Sequence, residues 1–206
     1  MSQLSDSGKE LCSKALTLGA MQIEIELQGF VAFLESRGPL GSVLEIGCAL
    51  GGMTHVFARL AGQVTTVCYE PYGAFGASLP PAALAERNKR FDEYGNVRLI
   101  HGNSHHLSTF YEVSANVAST FDVIFIDGDH TLLGVQLDHF MYSPFVSQGG
   151  VIVFHDIKDH GPTHRCQVSE FWRGLRGKKT EIVSTAGTDA RWGGIGILHP
   201  HEQAES

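Results

Sequence analysis

Two short stretches gather the side chains best able to do chemistry. Phe121 to Asp127 reads as a continuous apolar strand that runs into Gly128-Asp129-His130, and Val151 to Phe154 reads as another that ends on His155-Asp156. Carboxylates collected at one rim suit a hard divalent cation such as Mg²⁺ or Mn²⁺. Imidazole donors shift the preference toward softer transition ions. A histidine also titrates near neutral pH without special tuning, so it can take a proton from a reacting hydroxyl. The same residues have a plain structural use, because Asp-Gly-Asp-His makes a good strand-to-helix turn with an acidic cap.

For these stretches to act together, a scaffold must bring their ends side by side. The stretch Ser42 to Phe57, SVLEIGCALGGMTHVF, supplies the organising unit: a short strand Val43 to Ile46, a turn with Gly47 and Gly51-Gly52, then a helix from Met53 to Leu60. Strand, glycine turn and helix open a doubly wound α/β nucleotide-binding fold, in which ligands lie outside the carboxyl ends of the central strands. The spacing is not G-x-G-x-x-G, which excludes a nicotinamide-dinucleotide dehydrogenase. A second strand, Val64 to Glu70, ends on a carboxylate placed to accept hydrogen bonds from ribose hydroxyls.

The remaining elements follow from periodicity. Ile23, Leu27, Phe30, Val31 and Leu34 share one face of a helix over Ala20 to Glu35. Further helices are expected over Ala82 to Tyr94, Leu107 to Val117, Thr131 to Phe145 and His164 to Leu175, the third of these with Leu133, Leu137, Phe140 and Met141 inward. Val97 to His101 is a strand that runs into Gly102-Asn103-Ser104. Val151 to Phe154 is the fifth strand, and Thr180 to Thr185 and Gly194 to Leu198 close the sheet. The long loop Pro71 to Pro80 is either a lid or an insertion. His105, His106, His160 and His164 read as surface or loop histidines, and Trp172 and Trp192 as packing residues.

Composition narrows the class. With 206 residues, 43% hydrophobic and 18% charged, the chain fits one soluble domain over 1–206, its segment 1–40 packing on or covering the site. A formal charge of −7 and the lack of a basic run argue against nucleic acid as partner. No stretch approaches a transmembrane span, and the amino terminus lacks a signal-peptide core, so a cytoplasmic location is expected. Cys12, Cys48, Cys68 and Cys166 are scattered and read as reduced thiols.

Glu45-x-Gly47-x-x-x-Gly51-Gly52 resembles the first motif of class I S-adenosylmethionine-dependent methyltransferases, with Ala49 at the usual middle glycine. IDGDHTLLGVQLD followed by GGVIVFHDI is similar to the branch of metal-dependent small-molecule O-methyltransferases and cephalosporin hydroxylases. The resemblance implies a Rossmann-like, seven-stranded, mostly parallel sheet with an antiparallel carboxy-terminal edge hairpin and helices on both faces. It implies that Glu45, Gly47, Gly51 and Gly52 hold the methionine end of S-adenosylmethionine, Glu70 the ribose, and Asn103 and Ser104 the adenine. Asp127 counts both with the cofactor residues and, beside His155 and Asp156, as a metal ligand. His155 stands where the family usually has an acidic residue, so it is a ligand to a softer ion or a base. Asp129 or His130 would be the general base. The expected activity is methyl transfer to the hydroxyl of a small-molecule acceptor, with a homodimer or higher homo-oligomer left open. The competing reading is a cofactor-binding accessory module of a biosynthetic complex.

Overall fold

The run Leu40–Ile46 forms β1 at the heart of a seven-stranded sheet in the computed structural model, which describes residues 3–69, 79–115, 120–161, 165–184 and 192–202. It pairs in parallel with β2 (Ala61–Cys68) on one side and with β4 (Phe121–Ile126) on the other. Outside these lie β3 (Val97–His101) and β5 (Val146–His155), also parallel. The last strand, β7 (Ile195–His199), runs antiparallel between β5 and β6 (Lys178–Ile182), so the order is β3-β2-β1-β4-β5-β7-β6. The sheet is therefore the doubly wound one expected. Its winding reverses between β1 and β4, and their carboxyl ends open the crevice where such folds bind ligands.

Alternation along the buried strands divides the core in two. Val43, Val123, Phe125, Val151 and Val153 face α1 (Asp6–Thr17), α2 (Glu24–Ser36) and α3 (Gly52–Leu60). Their neighbours Leu44, Ile46, Ile124, Ile126, Ile152 and Phe154 face α5 (Leu107–Ala115), α6 (Leu132–Tyr142) and α7 (Val168–Gly174). Strands buried on both faces must be apolar along their buried length, which is why Val123–Ile126 of β4 and Val151–Phe154 of β5 read as unbroken hydrophobic runs. The outer edge is covered by α4 (Pro81–Tyr94), whose Phe91 packs on Cys48 and Cys68.

Several expectations need correction. On α6 the inward residues are Gly134, Val135, Asp138 and Tyr142, while Leu133 and Phe140 are 65% and 77% exposed. The inward face carries an aspartate, and this hides the true periodicity. The helix expected from Ala20 starts at Glu24, because Ala20 abuts Gly52 and Gln22 is drawn into the site. A further helix, α1, precedes it. β5 begins at Val146, so Gly149 and Gly150 lie within the strand and do not form a turn before it. The helix expected from His164 begins at Val168. Glu70, most of the Pro71 to Pro80 loop, and His164 lie outside the described residues.

Candidate active site

The glycine turn and the acidic rim are contiguous. The Asp127 N–H donates to the Ile46 carbonyl at 2.8 Å, tying the end of β4 to the end of β1. Gly47, at φ 90°, packs so tightly there that a Cβ would collide with the Asp127 carbonyl oxygen. Gly51, in the left-handed region, caps α3, and a Cβ on Gly52 would strike the backbone of Ala20. The chain's own close approaches thus demand these glycines, as well as any ligand laid on the turn.

Two arginines of α4 grip the same turn. Arg87, fully buried, donates to the Ala49 carbonyl at 2.8 Å, and Arg90 donates to the Leu50 carbonyl at 2.5 Å. These contacts hold Ala49 at φ 43°, a conformation most side chains avoid. Glu45 is placed differently from the expectation. It is fully buried and turned toward α3, where Thr54 donates to Oε2 at 2.5 Å, while Oε1 has no hydrogen-bond partner among the described residues. Burial pushes its carboxyl up to about 8, so it is a neutral brace under the turn and not an exposed ligand group.

At the rim, Asp127 is the hub. Its Oδ1 lies 3.1 Å from His130 Nε2 and 3.2 Å from His155 Nδ1, and its Oδ2 accepts from Gln22 Nε2 at 2.9 Å. Asp156 lies 3.3 Å from His130 Nδ1 through Oδ2, and Oδ1 lies 3.3 Å from His160 Nε2. It sits at φ 63°, so backbone strain is stored at the cluster. Burial disfavours charge on each of these groups, yet their mutual attraction wins. His155 is raised to about 9 chiefly by Asp127 and Asp156, His130 is raised by Asp127, and both aspartates are held below the usual carboxylate range by the imidazoles.

Donor atoms of Asp127, His155 and Asp156 all lie within 4.8 Å of one another, as do those of His130, Asp156 and Cys166. Two buried atoms here are left short of partners. Among the described residues His155 Nε2 makes no hydrogen bond, and Asp156 Oδ1 has only the ion-pair approach of the His155 and His160 rings. Under-satisfied atoms of this kind in a carboxylate-imidazole set fit a divalent cation, and the imidazoles favour Mn²⁺ or a later transition ion over Mg²⁺.

Other expected residues carry local contacts. Asp129 is exposed and accepts the Thr131 N–H at 2.9 Å, so it shapes the turn into α6. Asn103 is used locally, its Oδ1 accepting the His105 N–H at 2.8 Å, and the Ser104 carbonyl accepts the Tyr142 hydroxyl at 2.7 Å. His105 is no free surface histidine, since it lies 3.2 Å from the buried Asp138. His160, read as a loop residue, is buried against Asp156. Trp172 is core, as expected, and donates to Glu181 at 2.6 Å. Gln22 and Glu26 were missed. Glu26, fully buried on α2, accepts the Ser184 N–H at 2.6 Å and the Gly194 N–H at 2.7 Å, lashing α2 to the strand ends beside the cluster. A separate cleft of about 610 Å³ near Gly41, Gln63 and Asp122 lies at the opposite, amino-terminal ends of the central strands.

A doubly wound sheet of this order, with a glycine turn and a polar rim meeting at the switch point, defines a class I methyltransferase fold. The methyltransferase-domain family model matches residues 44–157, more than half of the chain, and the chain belongs to that family. It is an S-adenosylmethionine-dependent methyltransferase. No curated protein matches it in sequence. Among solved structures it is similar to an O-methyltransferase from Bacillus cereus in complex with S-adenosylhomocysteine, at 18% identity and TM-score 0.64, over 95% of this chain and 91% of that one. It is also similar to TomG from Streptomyces achromogenes, an O-methyltransferase of tomaymycin synthesis, at 16% identity and TM-score 0.61, over 95% and 90%. The N-methyltransferase NodS from Bradyrhizobium japonicum WM9 is similar at 14% identity and TM-score 0.55, over 98% and 100%. At these identities the likeness shows the fold alone. Among the described residues, no helix is long and apolar enough to cross a membrane.

Proposed function

We propose that the enzyme methylates the hydroxyl of a small-molecule acceptor at the Asp127, His130, His155 and Asp156 cluster, with a divalent cation bound there. The observation that carries this reading is the direct junction of the cluster and the glycine turn, through Asp127 N–H to Ile46 carbonyl and through Gly47 against Asp127. S-adenosylmethionine supplies an electrophilic methyl group. Gly47, Gly51 and Gly52 seat its methionine end, Glu70 takes the ribose hydroxyls, and Asn103 and Ser104 flank the adenine. Asp127, His155 and Asp156 would hold the cation, which would lower the pKa of an acceptor hydroxyl. His130 receives the acceptor's proton once the carboxylate charge that retains its own proton is compensated. Gln22 and His160 fix the carboxylates, and the segment 1–40 covers this side of the single domain. Holding oxygen, methyl carbon and sulfur in line is the chief contribution of such a site. The formal charge of −7 favours a small acceptor over nucleic acid.

The test is release of S-adenosylhomocysteine with panels of phenols, catechols, amines and ribosomal RNA, in chelator and after return of Mn²⁺ or Mg²⁺. Turnover of hydroxyl acceptors that chelator abolishes and Mn²⁺ restores is expected. Full activity in chelator would remove the cation from the reading, and turnover confined to amines or RNA would remove O-methylation.

A further inference from the structure

We infer that Cys48 and Cys68 form a peroxide-sensitive dithiol whose conversion to a disulfide closes the cofactor site. The inference rests on the placement of the cofactor at the glycine turn. Cys48 lies within that turn, and Cys68 ends β2, the strand that leads to Glu70. The Gly47 N–H donates to the Val67 carbonyl at 2.9 Å, so the two cysteines directly follow a hydrogen bond that joins adjacent strand ends. Neighbouring strands lie about 4.8 Å apart. A disulfide spans Cα separations of about 4.4 to 6.8 Å. Both sulfurs lie 3.5 Å from the same Arg87 nitrogen, Nη1, and both cysteines are buried. Methyl transfer uses neither thiol.

The surroundings give the pair unequal roles. The hydrogen bond from Cys48 holds the Cys68 thiol below its ordinary range, against burial and with help from the Arg87 guanidinium. Burial and its neighbour push Cys48 up. Cys48 Sγ also faces the Ala49 carbonyl as a donor at 3.9 Å, which leaves Cys68 as the nucleophile and Cys48 as the resolving thiol. With hydrogen peroxide as oxidant, the Cys68 thiolate attacks one oxygen, the O–O bond breaks, and Cys68 sulfenic acid and hydroxide form. Cys48 then attacks the sulfenic sulfur. An S–S bond forms, the S–O bond breaks, and the departing hydroxide takes the Cys48 proton as water. The peroxide is reduced by two electrons and the dithiol oxidised by two. Bridging brings the two sulfurs to about 2 Å and pulls Cys48 toward β2, shifting the adjoining Ala49 carbonyl that Arg87 holds. The turn then loses the conformation that receives the cofactor.

The experiment treats the reduced full chain with hydrogen peroxide, maps peptides without reduction, and measures S-adenosylhomocysteine affinity by calorimetry. A linked Cys48–Cys68 peptide lighter by two hydrogens is expected, with affinity at least tenfold weaker and restored by dithiothreitol. The Cys68→Ser variant should bind equally before and after peroxide. Cys12 and Cys166, pushed up to about 11 by burial, should stay free. Persistently free Cys48 and Cys68, or a linked protein that binds within twofold of the reduced one, would overturn the proposal. A reduced protein that does not bind S-adenosylhomocysteine would instead sink the cofactor placement and the closure together, with the peptide map still reporting the thiols separately.

Discussion

Replacing Glu45 with Gln should turn a pH-sensitive fold into a less sensitive one. Glu45 is fully buried, and its carboxyl is raised from an ordinary 4.5 to about 8 by that burial. Below about pH 4.5 the carboxyl is protonated in both folded and unfolded chains, so it adds no pH dependence. Between 4.5 and about 8 the unfolded chain ionises while the folded one stays neutral. Stability then falls with rising pH at up to about 1.4 kcal/mol per pH unit. Above about 8 the loss is complete, with an upper limit of about 5 kcal/mol for that interval. The Glu45→Gln change keeps the shape and an oxygen to accept from Thr54, but the amide cannot ionise. Urea unfolding of both proteins from about pH 5 to 9 measures the difference. The Glu45→Gln variant should gain on the wild type steadily as pH rises, by a few kcal/mol at the alkaline end, on the order set by linkage. Parallel stability curves across that range would refute the account of Glu45 as a buried neutral brace.

Glu26→Ala strips acceptors from two buried N–H groups, those of Ser184 and Gly194, and should cost about 2–5 kcal/mol. Calorimetric melting should show the corresponding drop, of order 5–15 °C for a chain of this size, and Glu26→Gln should lose roughly half as much. His130→Asn should lower kcat by about 10²- to 10⁴-fold and leave S-adenosylhomocysteine affinity within a few-fold, as steady-state kinetics and calorimetry will show. Asp156→Asn should weaken Mn²⁺ binding, read by electron paramagnetic resonance, by at least about tenfold, the range for a damaged metal site, while cofactor binding persists.

Much of the fold is legible in sequence because buried parallel strands must be apolar along their buried length, as Val123–Ile126 is. The convergence of Asp127 with His155 and Asp156 follows from the pairing of β4 with β5. Gln22 is not legible. Its role depends on where a linker crosses the rim, and a lone Gln before an amphipathic helix has no local signature. Asp138 misleads for a related reason, since a buried carboxylate beside His105 breaks the apolar face of α6. The Cys48 and Cys68 pair was within reach, since both stand at strand ends whose adjacency the topology implies. Spacing along the chain hides it, because a crossover through α3 separates them. Asp129 also carries a local contact that spacing alone does not show, its Oδ1 accepting the Thr131 N–H.

The hydrogen bond from Gln22 to Asp127 and the absence of room at Gly52 for anything beyond the Ala20 backbone set the connector between α1 and α2 against the glycine turn and the Asp127 cluster, a wall of the reaction chamber on the proposed function. A shortened protein that begins at the first strand would keep every motif and still lose the clamp on its central carboxylate. Trimming the amino end is thus an alteration of chemistry as well as of length.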